Sequence, residues 1–132
     1  MIVPDASVLV NAVGDAGGPG AAARHLLQAT TVAIPDVADL ETAAVLRKRW
    51  IARSLDDREL RTALQALSAL PFPRYPARAF LGRVYELRAN LSPYDAIYMA
   101  LAEALDAELV TADGRLVAAP GIRCRVRLVS PD

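Results

Sequence analysis

Ile2-Val3-Pro4-Asp5-Ala6-Ser7 is a short apolar run closed by a carboxylate and followed at once by helix-starting residues. The same grammar returns late in the chain, where Leu109-Val110-Thr111 leads through Ala112 into Asp113-Gly114-Arg115. Strands that end on an acid and turn into a helix suit open parallel sheets, whose ligand sites lie beyond the carboxyl ends of the strands. Between these stretches, apolar runs alternate with segments of near-3.6 period. That alternation implies an α/β fold: a three-layer α/β/α sandwich with a mostly parallel sheet of four to five strands and right-handed crossovers.

Working outward, the first strand covers residues 2–4 and a short helix runs from Ser7 to Val13. Gly14 to Gly20, with four glycines and a proline, reads as a loop. A helix over Ala21–Ala29 leads to a second strand, Thr31–Ile34. Pro35 or Asp36 opens a longer helix carrying Val37, Leu40, Ala43, Leu46 and Trp50 at helical spacing. Asp56, with Glu59 three residues on, marks a capping-box start. Pro71-Phe72-Pro73 is at best an edge strand, because proline has no donor for a ladder. Pro76–Ala89 reads as one helix, Ser92-Pro93 starts the next, Glu108–Thr111 is a strand, Gly114–Ala118 a short helix and Val126–Val129 a last strand. Pro4 is tolerable only at a strand's end. Neither repeats nor a low-complexity linker interrupt the chain, which reads as a single domain over residues 1–132.

Composition narrows the class. Hydrophobic residues make up 54% and charged residues 23% of 132 positions, which suits a chain with a full core rather than a disordered one. No apolar run approaches the roughly 20 residues that span a bilayer, and no basic segment precedes the apolar N-terminus as in a signal peptide. The lone Cys124 cannot form an internal disulfide, so a cytoplasmic location is expected. Fifteen basic and fifteen acidic residues cancel, which argues against a simple electrostatic nucleic-acid binder. Lys48 is the sole lysine, and Arg47, Lys48, Arg49 and Arg53 form the densest basic patch, a solvated helix face or an RNA contact.

Four acids stand out, each with an ordinary local explanation. Asp5 caps the helix after the first strand or takes part in chemistry. Glu41 has Ala44 and Val45 as its i+3 and i+4 neighbours, so no local ion pair accounts for it. Asp39, two residues earlier, points about 200° away and cannot share its target. Asp95 is the N3 residue of a helix with Ser92 as N-cap and Pro93 at N1, a capping arrangement that also places it where anions dock. Asp113 fits a turn. His25 is the single histidine and lies apart from the acids, so Ser-His or Cys-His chemistry lacks a base. No glycine run matches a phosphate-binding loop.

Taken in order, Ile2-Val3-Pro4-Asp5-Ala6-Ser7, Pro35-Asp36-Val37-Ala38-Asp39-Leu40-Glu41 with Val45-Leu46-Arg47, Leu91-Ser92-Pro93-Tyr94-Asp95-Ala96-Ile97-Tyr98-Met99-Ala100-Leu101-Ala102 and Leu109-Val110-Thr111-Ala112-Asp113-Gly114-Arg115-Leu116 resemble the PIN-domain ribonucleases, specifically VapC toxins of type II toxin–antitoxin systems. The resemblance spans almost the whole chain. Pro4, in place of the usual aliphatic residue, and Gly114, in place of a bulkier polar one, depart from the pattern without removing an acid. It implies a metal-dependent endoribonuclease whose catalytic and metal-binding acids are Asp5, Glu41, Asp95 and Asp113, with Ser7 and Thr111 contacting substrate or the metal's waters. Asp5 and Asp113 would be the leading direct ligands on neighbouring strands, about 4.8 Å apart.

Oxygen donors without His or Cys favour Mg²⁺ or Mn²⁺. Clustered carboxylates repel by roughly 4 kcal/mol per pair at 4 Å, which calls for a cation. The resemblance further implies RNA products with 5′-phosphate and 3′-hydroxyl ends, a VapB-type antitoxin partner, and a homodimer. The different-class alternative is a non-catalytic PIN module that binds RNA or protein. A receiver-type phosphoacceptor would need a lysine after its last strand, and a haloacid-dehalogenase-type phosphatase a second acid where Ser7 stands.

Overall fold

A computed structural model describes residues 1–129. Five strands, β1 (Ile2–Pro4), β2 (Ile34–Pro35), β3 (Arg74–Tyr75), β4 (Glu108–Thr111) and β5 (Val126–Leu128), alternate with six α-helices. The helices are α1 (Ala6–Gly14), α2 (Gly18–Ala29), α3 (Val37–Ile51), α4 (Asp57–Ala69), α5 (Leu81–Leu87) and α6 (Pro93–Ala104). All strand pairs are parallel, in the orders β1-β4-β5 and β2-β3, and a single bridge between Ile2 and Val32 joins the two parts. α6 packs across β1, β2 and β4 with α5 against it. α1 packs on β1 and β4 from the other side and carries α2, α3 and α4. The result is the expected α/β/α sandwich.

The central strands are apolar because both faces are covered. Val3, Leu109 and Val110 are fully buried, as are Leu9 of α1 and Met99 and Leu101 of α6. In α6 every residue from Ala96 to Ala102 is buried, so this helix is apolar all round and its alanines permit close approach to the sheet. Val10, Leu46, Leu55 and Ala63 form a second, smaller cluster beneath the α3–α4 hairpin. Truncating Leu109 to Ala would cost about 2–5 kcal/mol through lost burial and the cavity left behind.

Pro4 is accommodated by direction. The Asp5 amide reaches Val110 O on β4, whereas the Ile2 amide reaches Thr31 O on the other side. By strand alternation the position-4 nitrogen faces the β2 side, where pairing to β1 has already ended at the single bridge.

Four boundaries differ from expectation. α2 begins at Gly18 rather than Ala21. Asp15 accepts from the Gly17 amide at 2.9 Å and the Gly20 amide at 3.0 Å, turning a glycine-rich loop into a helix start. Gly20 is required there, because a Cβ would lie 1.8 Å from the Asp15 carbonyl oxygen. The third strand is Arg74–Tyr75, not Pro71–Pro73. The prolines flank it, and only the Pro73 carbonyl joins the ladder, accepting from the Ile34 amide. The segment read as one helix over 76–89 is a 3-10 turn (Ala77–Phe80) followed by α5. The second strand, expected over Thr31–Ile34, is reduced to the Val32 bridge and Ile34–Pro35. Among the described residues no helix is long and apolar enough to cross a membrane.

Candidate active site

Asp5 leaves β1 at its carboxyl end, directly beside the end of β4, and is 6% exposed. Its Oδ1 caps α1, accepting from the Ser7 amide at 3.0 Å and the Val8 amide at 3.4 Å. Two hydroxyls complete its setting. Ser7 Oγ donates to Oδ1 at 2.5 Å and accepts from the Ala112 amide at 2.9 Å. Thr111 Oγ1 donates to Oδ2 at 2.5 Å and accepts from the Asp113 amide at 2.9 Å. Two parallel relays, amide to hydroxyl to carboxylate, thus tie the ends of β1 and β4 together, each bond polarising the next. Burial pushes the Asp5 carboxyl above the usual aspartate value, against the opposing pull of these hydrogen bonds.

Glu41 stands on the second turn of α3, after β2. Its Oε1 accepts from Tyr98 Oη at 2.7 Å, which spans from α6. Burial raises its carboxyl. The Tyr98 bond lowers it, and the charges of Asp95 and Asp5 raise it again. Burial pushes the Tyr98 phenol far up as well, reinforced by the charges of Glu41, Asp5 and Asp95. Of the four singled-out acids, Glu41 bonds the buried phenol directly, and Asp5 and Asp95 lie within electrostatic reach of it. Tyr98 was not among the sequence candidates, because it sits in an apolar run that reads as core. Its place three residues after Asp95, on the same helix face, was the available signal.

Asp95 lies in the first turn of α6, where Ser92 Oγ accepts from its amide at 3.2 Å. Its carboxylate takes neither a hydrogen bond nor an ion pair from the described residues, so the capping arrangement uses its backbone and leaves its charge free.

Asp113 departs from expectation. Rather than standing with Asp5 as a shared ligand pair, its carboxylate is turned to Arg115. The guanidinium approaches Oδ1 at 3.0 Å and Oδ2 at 2.5 Å, and the Arg115 amide bonds Oδ1 at 3.0 Å. The cause is local: the 3-10 turn at Gly114–Leu116 brings residue 115 back over residue 113. Arg115 holds the Asp113 carboxyl below the usual range. As placed, no three His, Cys, Asp or Glu side chains among the described residues stand close enough to hold one metal ion.

Other sequence candidates lie apart. Asp39 pairs with Arg74 at 3.1 Å, away from Glu41 as the helical angle required. Arg47, Lys48 and Arg53 are exposed and Arg49 is half-buried, and Lys48 and Arg49 lie in the last turn of α3, where they complement its dipole. His25 is exposed on α2. Cys124 is half-buried with its sulfur 3.7 Å from Met99, and burial pushes its thiol up.

The PIN-domain family model matches residues 2–122. The chain belongs to the PIN-domain family. Ribonuclease VapC9 of Mycobacterium tuberculosis is 41% identical over 129 residues, covering 98% of each chain. Ribonuclease VapC1 of the same organism is 38% identical over 128 residues, 96% of each. Among solved structures, VapBC2 from Rickettsia felis bound to a promoter DNA fragment superposes with a TM-score of 0.70 at 17% identity, covering 98% of this chain and all of that one. At that identity the likeness speaks for the PIN fold alone.

The donor set fits a hard divalent cation. It is all oxygen, has no histidine or thiol, and two of its carboxyls are raised by burial and, at Glu41, by mutual repulsion, an imbalance that a cation would offset. Its present geometry is not a closed coordination shell, since Asp113 is engaged with Arg115.

Proposed function

We propose that this chain is the endoribonuclease toxin of a type II toxin–antitoxin pair, hydrolysing RNA phosphodiester bonds with Mg²⁺ or Mn²⁺ held by Asp5, Glu41, Asp95 and Asp113. The observation that carries this reading is the buried Asp5 at the carboxyl end of β1, held by Ser7 and Thr111, with Glu41, bonded to Tyr98, within electrostatic reach of both Asp5 and Asp95. Near-full-length similarity to proteins named as VapC ribonucleases supports the reaction and substrate class.

When bound, the cation neutralises charge on the scissile phosphate and acidifies water. Each acid has its own task. Asp5 is the fixed ligand: Ser7 and Thr111 lock its rotamer, so no side-chain ordering is left for the moment of binding. Tyr98 holds Glu41 by Oε1, and Oε2 takes no hydrogen bond from the described residues. Asp95 offers an unencumbered carboxylate from a helix N-terminus. Ser7 and Thr111 act through Asp5, each already spending its proton on that carboxylate. A VapB-type antitoxin as partner and a homodimer as the working assembly complete the proposal. The neighbours described as VapBC2 and as FitAcB from Neisseria gonorrhoeae lend the partner support at the level of fold.

The Asp113–Arg115 pair favours a second reading, a PIN module that binds RNA or protein without cutting it. Incubating single-stranded RNA with the protein, with Mg²⁺, Mn²⁺ or EDTA, separates the two. Metal-dependent cleavage that Asp5→Ala abolishes supports the nuclease. RNA bound but intact under every condition sinks it.

A further inference from the structure

We infer that Arg115 is an exchangeable counter-ion of the site. It occupies Asp113 until a divalent cation takes that carboxylate, and its freed guanidinium then binds a phosphate of the RNA substrate. The inference rests on the metal-dependent reading above and concerns a residue to which that reading assigns no role.

Three observations carry it. First, Arg115 covers both Asp113 oxygens through Nε and Nη2, so Asp113 cannot become a ligand while the pair stands. Second, the pair is built to part. The Arg115 side chain is 81% exposed, and among the described residues its hydrogen bonds all go to Asp113. Exposed ion pairs of this kind contribute little, because water competes for both partners. Arg74 is the contrast, since it holds Asp39 while also donating to the carbonyls of Leu67, Leu70 and Phe72. Arg83 is similar, holding Glu103 and Gly121 O at 15% exposure. Those two are anchored, and Arg115 is not. Third, Arg115 is bonded to Asp113 and lies within electrostatic reach of Asp95 as well, so two of the acids feel its charge. A guanidinium released there presents the planar donor fork that phosphate accepts in bidentate fashion.

The partner exchange has a two-signed signature. Mn²⁺ binding is measured by electron paramagnetic resonance on metal-free wild type, Arg115→Gln, Asp113→Asn and the double variant. KM and kcat are measured on a short single-stranded RNA. Arg115→Gln is expected to tighten Mn²⁺ on the order of fivefold while raising KM on the order of tenfold, with kcat changed less. Asp113→Asn should erase the gain in metal affinity, and Arg115→Lys, which keeps the charge but not the fork, should fall between wild type and Gln in KM. A residue that merely shaped the turn would not tighten metal and weaken RNA together. Metal affinity unchanged or weakened in Arg115→Gln overturns the inference, and so does tightened metal with KM unchanged. If wild type itself takes up no Mn²⁺, the metal reading fails first. If wild type binds and Arg115→Gln binds equally, the inference fails alone.

Discussion

Two helices in this chain start with the same local grammar and finish the sentence differently. At α4, Asp56 accepts from the Glu59 amide at 2.7 Å and Glu59 returns the bond to the Asp56 amide at 3.0 Å, a complete capping box. At α6, Ser92 accepts from the Asp95 amide, but Asp95 returns nothing. Glu59 is therefore consumed by local structure, and Asp95 is a surplus charge. Its neighbours decide its meaning: α6 starts at the carboxyl edge of the sheet, within reach of Glu41, while α4 starts on the far side of the α3 hairpin. A carboxylate that a cap does not use, placed among others of its kind, needs a cation or a substrate to justify its cost.

The contrast breaks most sharply in activity. Asp95→Asn should lower RNA cleavage by roughly 10²-fold or more, judged from the loss of one preorganised charge, while urea unfolding moves by less than about 0.5 kcal/mol. Tyr98→Phe should lower kcat by about tenfold through a misplaced Glu41, and cost about 1 kcal/mol of stability for the lost hydrogen bond. Asp56→Ala should do the reverse of Asp95→Asn, costing about 1 kcal/mol in urea unfolding as a lost N-cap and leaving the cleavage rate as it was.

The smallest effect lies at the other end of α6, where Glu103 is fully partnered. Burial pushes its carboxyl up, but the hydrogen bond from Arg83, the Arg123 amide and both guanidinium charges outweigh it and hold the value below the usual 4.5. A depressed folded-state pKa contributes stability that is present above the unfolded value and lost as pH falls through the folded one. The melting-temperature gap between wild type and Glu103→Gln should thus be constant above pH 4.5 and close below it.

These residues also show how far the sequence reads. The layering was legible because alternation and helix period are carried by many residues at once, whereas the pairing of β1 with β4 was legible only through the family resemblance. Asp56 and Glu59 were legible because a capping box closes within four positions. The start of α2 was not, since the glycines looked like punctuation until Asp15 supplied the cap. Tyr98 was hidden in a run of core residues, and its partner lies 57 positions away. The pairing of Asp113 with Arg115 depends on a 3-10 turn whose closure no periodicity announces. Local rules recognised the caps of α4 and α6, but they could not say which acids the caps leave unspent.

Thermal unfolding of wild type, Asp56→Ala and Asp95→Asn during Mn²⁺ titration tests that distinction most directly. If the surplus acids form a divalent-cation site, binding linkage should raise the melting temperature of wild type and Asp56→Ala by the same increment, on the order of 5 °C at saturation. Asp95→Asn should lose most of that increment. An Asp95→Asn protein that Mn²⁺ stabilises as much as wild type would contradict the account.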